Sequence, residues 1–355
     1  MRWEHQERED ELIVYQVSPT NLDDIRGELD GVILSGTSIE GGYYTDIRSS
    51  GTLEFLGDEW IRGSFIRLVH RLPGYEREMG TFIVTDDPST REKGVWRTKL
   101  ELKGMLYALS TDIAERSWTI GEGAYALDAI RQMLDSRNRP NVITGNDYKF
   151  GSTTVYEGGK SFLERLFSLC TLSNNRLDAD SHGRVTVSPY VIPSLRSPMM
   201  ELGVSSGMLM DGVTRNSTWL SQPNRSAVLH TYSEDDAQHE ISATAELTIG
   251  DLAFGNRGYY VTDFKQLDDL SPRTNAQAQK IARGNLNNDR ELVEWNVSCA
   301  YLPVWEGDVV TLRVTDGMGQ YRGDRHCLIS DVKIYFSPGM MMDLTLKETS
   351  GGDDD

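Results

Sequence analysis

The stretch Val293-Glu-Trp-Asn-Val-Ser-Cys-Ala-Tyr301 decides the fold class. Val293, Trp295, Val297, Cys299 and Tyr301 alternate with Glu294, Asn296, Ser298 and Ala300. A period of two marks a half-buried β-strand, because successive side chains point to opposite faces of the sheet. Downstream, Asp308–Thr315 (DVVTLRVT), Cys327–Phe336 and Met341–Lys347 read as further strands, with Asp316-Gly317 as a hairpin-turn signal. Upstream, Thr274-Asn-Ala-Gln277 follows Ser271-Pro272 and has capping-box spacing. It leads into a helix carried by Ala278, Ile281, Ala282 and Leu286, which stops at Asn287-Asn-Asp289. The last third therefore reads as a barrel with one helix.

Working further back, the first hundred residues show the same strand chemistry. Trp96, Thr98, Leu100 and Leu102 form an expected buried face, and Arg97, Lys99, Glu101 and Lys103 the solvated one. Ser64–Leu72 and Gly80–Thr85 are β-rich runs bounded by Pro73-Gly74 and Asp86-Asp87-Pro88, which is turn chemistry. No helical pattern separates these strands, so a βαβ arrangement is excluded in favour of a barrel or sandwich. Between the β regions the period changes. Ala126, Leu127, Ile130, Met133 and Leu134 make a helical stripe, and Ser161-Phe-Leu-Glu164 is a capping box before Phe162, Leu163, Leu166, Phe167 and Cys170. Leu177–Ser188 then reads as a hairpin turning at Asp180-Ser-His-Gly183. Gly80–Leu102 and Asp308–Leu346 read as two loose copies of one barrel idea.

Composition narrows the function. The chain has 36 Lys+Arg against 54 Asp+Glu, a net charge of −18, which argues against a protein that grips nucleic acid phosphates. Its 33 glycines, high for this length, point to many turns and bulges. Three cysteines cannot close a disulfide framework. The start, Met1-Arg-Trp-Glu-His-Gln-Glu-Arg-Glu-Asp10, has no apolar core of a signal peptide, and no stretch is long and apolar enough to span a membrane. A chain made and retained in a cytosol, or assembled there into something larger, is expected. The sequons at Asn216 and Asn296 then carry little weight, and the tail Gly351–Asp355 is expected to be solvated.

Each candidate for chemistry meets a stronger bland reading. Gly203-Val-Ser-Ser-Gly207 matches a nucleophile elbow, yet Met-Leu-Met-Asp-Gly212 follows where a helix is required. Asp178-Ala-Asp-Ser-His-Gly183 opens like a calcium loop, but Pro189 stands where the bidentate Glu belongs, so it reads as a turn. His5, His70, His182, His230, His239 and His326 show no zinc spacing, and Cys170, Cys299 and Cys327 read as buried thiols. The pairs Asp23-Asp24, Asp86-Asp87, Asp235-Asp236 and Asp268-Asp269 offer two carboxylates for a glycosidase, although adjacent loop acids are usually solvated. Met199-Met200, Met208, Met210 and Met340-Met-Met342 read as core filler or adaptable interface, core being favoured. No catalytic, cofactor-binding or metal-binding residue is therefore expected, and no cofactor.

The order of the pieces resembles the phage tail-hub family of long-tailed bacteriophages, from about Leu12 to Leu346. The resemblance rests on Gly80-Thr-Phe-Ile-Val, Leu100-Glu-Leu-Lys-Gly104 and Leu106-Tyr-Ala-Leu109 in the first barrel. It continues with Ala126–Ile130 and with Phe162–Leu172 followed by Asn175–Val185 in the helical unit. In the last third it rests on Pro223-Asn-Arg225 with Val228 and His230, Gly258-Tyr-Tyr, Asn275–Ala282 and Leu302-Pro-Val-Trp-Glu-Gly-Asp-Val-Val310. It implies an α+β, β-dominated fold of two β-barrel-like domains, 1–106 and 199–348, around an α+β insert at 107–198, with a flexible tail at 349–355.

The implied function is structural. A homotrimeric ring at the distal end of the tail tube would match a sixfold tube to a threefold tip and surround the DNA exit channel. Implied partners are a distal tail ring or tube protein, a tape measure protein, and a tip, fibre or receptor-binding protein. DNA would pass without specific binding, there would be no membrane insertion, and the location would be the virion tail tip after assembly in the host cytoplasm. Two departures from the family stand out: the barrels are hardly alike in sequence, and no cell-wall-degrading domain follows, which leaves any lytic or fibre function to another chain. The alternative is a host carbohydrate- or receptor-binding tail component, whose mark would be exposed aromatics, with Trp60, Trp118, Trp219 and Trp305 as candidates. A carboxylate-based glycoside hydrolase ranks below it.

Overall fold

The computed structural model describes residues 11–58, 65–72, 74–203, 209–210, 213–217, 222–234, 237–248, 252–267, 274–288, 293–315, 321–337 and 339–349. The first β region comprises β1 (Glu11–Val17), β2 (Ile25–Glu28), β3 (Ser38–Gly42), β4 (Ser49–Leu56), β5 (Phe65–Leu72), β6 (Tyr75–Asp86), β7 (Ser89–Glu92) and β8 (Val95–Gly104). An α+β insert follows: α1 (Tyr107–Ser110), β9 (Trp118–Ile120), α2 (Ala126–Asp135), β10 (Asn141–Ile143), β11 (Thr154–Tyr156), α3 (Phe162–Leu172), β12 (Asn175–Ala179) and β13 (Val185–Pro189). The remainder begins with β14 (Glu201–Gly203), β15 (Thr214–Ser217), β16 (Arg225–Glu234), β17 (Ala237–Glu246), α4 (Phe254–Arg257) and β18 (Thr262–Leu267). It ends with α5 (Asn275–Asn288), β19 (Val293–Ala300), β20 (Val309–Thr315), β21 (Tyr321–Tyr335) and β22 (Met341–Glu348). The chain is α+β and β-dominated, as expected.

One sheet crosses both β regions. Its order is β15-β19-β22-β21-β3-β4-β8-β6-β5-β1-β2, and the first region meets the last where β3 pairs antiparallel with β21. Among the described residues this path is open, with no pair closing it into a barrel. The alternation read from Val293–Tyr301 places Val293, Trp295, Val297 and Cys299 inside. They share a core with Leu344 and Leu346 of β22, Ile334 of β21, Ile39 of β3, Leu53 and Phe55 of β4, Leu100 and Leu102 of β8, and Phe82 of β6. A single apolar layer therefore stabilises strands from opposite ends of the sequence, each fully buried Leu or Ile contributing about 2–3 kcal/mol.

The insert has its own core, in which the α2 stripe packs with Leu163, Leu166 and Leu169 of α3 and with Leu177, Val185 and Val187 of the hairpin. The capping box forms in full: Glu164 N donates to Ser161 Oγ at 3.2 Å and Ser161 N donates to Glu164 Oε2 at 2.9 Å. β12 and β13 pair as the hairpin read from Leu177–Ser188, with Gly183 N donating to Asp180 O across the turn.

At Thr274 the forward half of the capping box forms, with the hydroxyl accepting from Gln277 N and donating to Gln277 Oε1, each at 3.3 Å. Two local readings change. Trp96 is 39% exposed, because the start of β8 lies between the short β7 and Gly57, whose N donates to Trp96 O, beyond the core strands. The strand after Pro223 pairs in a separate sheet, β17-β16-β18, instead of joining β19 and β22. Val228, Ile241 and Ala245 of that sheet pack on Ala278, Ala282 and Leu286 of α5, a third core that the amphipathic stripe of α5 requires. Asp316-Gly317, Ser271-Pro272 and the tail from 350 onward lie outside the described residues.

Candidate functional site

The Leu302–Val310 motif helps build a charged cluster in the interior. Trp305 N donates to the Asp308 carboxylate at 2.7 Å and Asp308 N donates to Trp305 O, closing a tight turn. Gly307 sits at φ +86, a conformation glycine adopts without strain, and a Cβ there would lie 2.9 Å from Arg176 Nη1 and 3.0 Å from the Tyr43 ring. The turn thus brings its backbone against a buried tyrosine.

Three arginines surround Tyr43. The Arg176 guanidinium lies 4.0 Å from the ring centroid, Arg196 5.8 Å and Arg48 6.0 Å. Arg196 donates to Gly307 O at 2.8 Å and to the Tyr43 hydroxyl at 3.2 Å. Arg48 donates to Tyr43 O and, from β12 of the insert, to Leu177 O. Arg176 forms a fork with Asp178 Oδ2 at 2.7 and 3.0 Å. Beside them Glu306 is 7% exposed, and its Oε2 is buried without a hydrogen-bond partner among the described residues. Burial, reinforced by nearby Asp178, pushes the Glu306 carboxyl up to about 9 against the pull of Arg176 and Arg48. Burial also raises Asp308 and lowers Arg48. This cluster seats one end of the insert hairpin on both β regions.

The hairpin tip forms a second seat. Arg67, 4% exposed, donates to Thr81 Oγ1 at 3.0 Å, to Leu22 O at 2.7 Å and to His182 O at 3.2 Å. Thr81 donates to Ser181 O, and Glu78 accepts from Ser181 Oγ and pairs with His182 Nε2, both at 3.1 Å. Asp178 and Asp180, the head of the calcium-like motif, are engaged by Arg176 and Arg184, so the segment is a docked turn.

The outward face of the shared sheet is polar across the junction. The registers place Lys103, Ser50, Glu40, Lys333, Asp343 and Ser298 in one row over six strands. Asp343 accepts from Ser298 Oγ at 2.6 Å and from the Tyr335 hydroxyl at 3.0 Å. The loop from Thr45 to Ser49 stands over this face and encloses a cleft of about 480 Å³. Its lining carries both signs of charge.

The remaining motif residues are scattered. Gly203 ends β14, while 204–208 lie outside the described residues, as do Asp235-Asp236, Asp268-Asp269, Trp60, Trp219, Met208 and His5. No cluster of His, Cys, Asp and Glu able to hold a metal occurs among the described residues. The three cysteines are buried, and burial pushes each thiol up to about 12. Met340 and Met342 are core, whereas Met199 and Met210 are exposed. Trp305 packs at the margin of the shared core, and Trp118 lies tilted on Tyr156 at 5.7 Å. Among the described residues the exposed aromatics include Phe254, Tyr259, Tyr260 and Phe264 on and beside α4 and β18, together with Tyr44, Tyr75, Trp96 and Tyr125.

No protein-family model matches the chain, and no curated protein matches it. Solved structures do. A tail protein from Neisseria meningitidis matches with a TM-score of 0.68 at 13% identity, over 95% of this chain and 96% of that one. The 43 kDa tail protein of prophage MuSo2 from Shewanella oneidensis matches with a TM-score of 0.68 at 10% identity, over 96% and 99%. Prophage tail protein gp18 from Listeria monocytogenes matches with a TM-score of 0.57 at 11% identity, over 96% and 95%. The likeness runs through both β regions and the insert alike, so the fold of this chain is that of phage tail proteins, as its resemblance to the tail-hub family implied.

Proposed function

We propose that the chain is a structural, non-catalytic tail-hub protein that assembles as a homotrimeric ring at the distal end of a phage tail tube. The observation that carries this reading is likeness to tail proteins over nearly the full length of both chains. In this reading the ring adapts a sixfold tube or distal ring to a threefold tip and surrounds the DNA exit channel. Its neighbours are the tube or distal ring, the tape measure protein and a tip, fibre or receptor-binding protein. In this reading 1–106, 107–198 and 199–348 are the domains and 349–355 a flexible tail, the two β domains sharing one sheet. The net charge of −18 per chain supports passage of DNA without capture, since like charge repels phosphate.

A map of the assembled particle tests this. Three copies around an axial channel at the tail tip are expected, and peripheral copies would overturn the proposal. One observation favours a second reading, contact with a host carbohydrate or receptor. Phe254 stacks on Tyr260 at 4.6 Å, and Phe264 is 59% exposed on β18. Aromatic faces of this kind suit sugar rings or protein anchors. Under this reading Phe264→Ala reduces adsorption of particles to host cells at least tenfold while leaving particle yield unchanged, and unchanged adsorption would remove it.

A further inference from the structure

We propose that the seat of the insert is a proton-operated latch, closed while the Glu306 carboxyl is neutral and loosened once it carries charge. The inference rests on the geometry of the seat and is independent of the hub reading.

Glu306 lies where three parts of the chain converge. From the first β region, Gly41 packs so closely that a Cβ there would lie 2.6 Å from Glu306 Oε2. Tyr43 and Arg48, on the loop that follows, complete that side. From the insert come Arg176 and Asp178 of β12. From its own turn come Asp308 and, across Gly307, Arg196. With Arg77, which acts on Asp308, these are the charged and titratable groups around it among the described residues. Arg176 is already committed to Asp178 in a two-pronged bond, and Arg48 to the carbonyls of Tyr43 and Leu177. Among the described residues Glu306 Oε2 has no hydrogen-bond donor and is itself shielded from solvent, the carboxyl's one nearby backbone donor being its own amide.

A neutral carboxyl tolerates that position, because only a weak dipole goes unsatisfied. A carboxylate does not: it must draw water in or pull an arginine away from its present acceptor. Both responses act on the same contact, since the arginines hold β12 to Tyr43. Charging Glu306 also adds repulsion toward Asp178, on the insert side of the joint. The upward displacement of the Glu306 carboxyl to about 9 puts the change on the alkaline side of neutrality. The second seat, where Arg67 and Glu78 hold the hairpin tip, uses different groups and keeps the insert tethered.

Hydrogen–deuterium exchange on the intact chain, corrected for intrinsic rates, tests the latch. Between pH 7 and pH 9.5, protection of peptides covering residues 40–48, 174–179 and 304–308 should fall about tenfold, while β22 keeps its protection. Glu306→Gln should abolish the fall, and Glu306→Met, a second neutral replacement of similar volume, should do the same. Equal protection at both pH values, an equal fall in the neutral variants, or a fall shared by β22 would each overturn the proposal.

Discussion

Glu306 and its neighbours make the residue scale thermodynamically testable. The folded chain holds the Glu306 proton up to about pH 9, whereas an unfolded chain releases it near the ordinary value of 4.5. Stability associated with this group is therefore complete below pH 4.5 and falls as pH rises toward 9. Glu306→Gln removes that loss, so at pH 8 it should raise the melting temperature by about 3 °C, an effect of about 2 kcal/mol. At pH 4 the two proteins should melt together, and scanning calorimetry at both pH values checks the sign. The motif around this residue was legible in the sequence as a loop entering a strand. Its burial was not, because the residues that enclose Glu306 come from positions near 43, 176 and 196, which no local pattern connects. The same holds for the turn at Asp180, where the sequence excluded a calcium loop but carried no sign that Arg67 would seat it.

Individual elements were the most readable level, since period and cap chemistry are local. The box at Ser161 predicted the start of α3 to the residue. Ser161→Ala removes the acceptor for Glu164 N and should lower stability by about 1 kcal/mol, read as a shift of the urea midpoint with unchanged slope. Strand alternation failed only where an element leaves its cover, as at Trp96. It was also silent about partners. The pattern of β16 is the same whether it joins β19 or makes its own sheet with β17 and β18, because alternation defines which face is buried and not what buries it.

At the scale of the whole molecule, the two β regions are one mechanical body. Ile334 of β21 lies opposite Ile39 of β3, and both are fully buried in the shared core. Ile334→Ala should destabilise the chain by about 3 kcal/mol. Exchange protection in β4 and in β22 should then fall together. Loss confined to β22 would mean that the regions unfold separately. The sequence pointed to two β regions around an insert, but the continuity of the sheet depends on contacts between the ends of the chain, which spacing cannot reveal.

That continuity has a consequence for synthesis. The sheet partner of Gly42 is Asp331, so β3 finds its neighbour only once β21, far downstream in the chain, has been made. Until then β3 offers a bare edge, and the closing step is a long-range search of the kind that slows folding. Closure of the shared sheet is therefore expected only after β21 has been made, and a chain cut short before β21 is expected to leave the β3 edge open to aggregation.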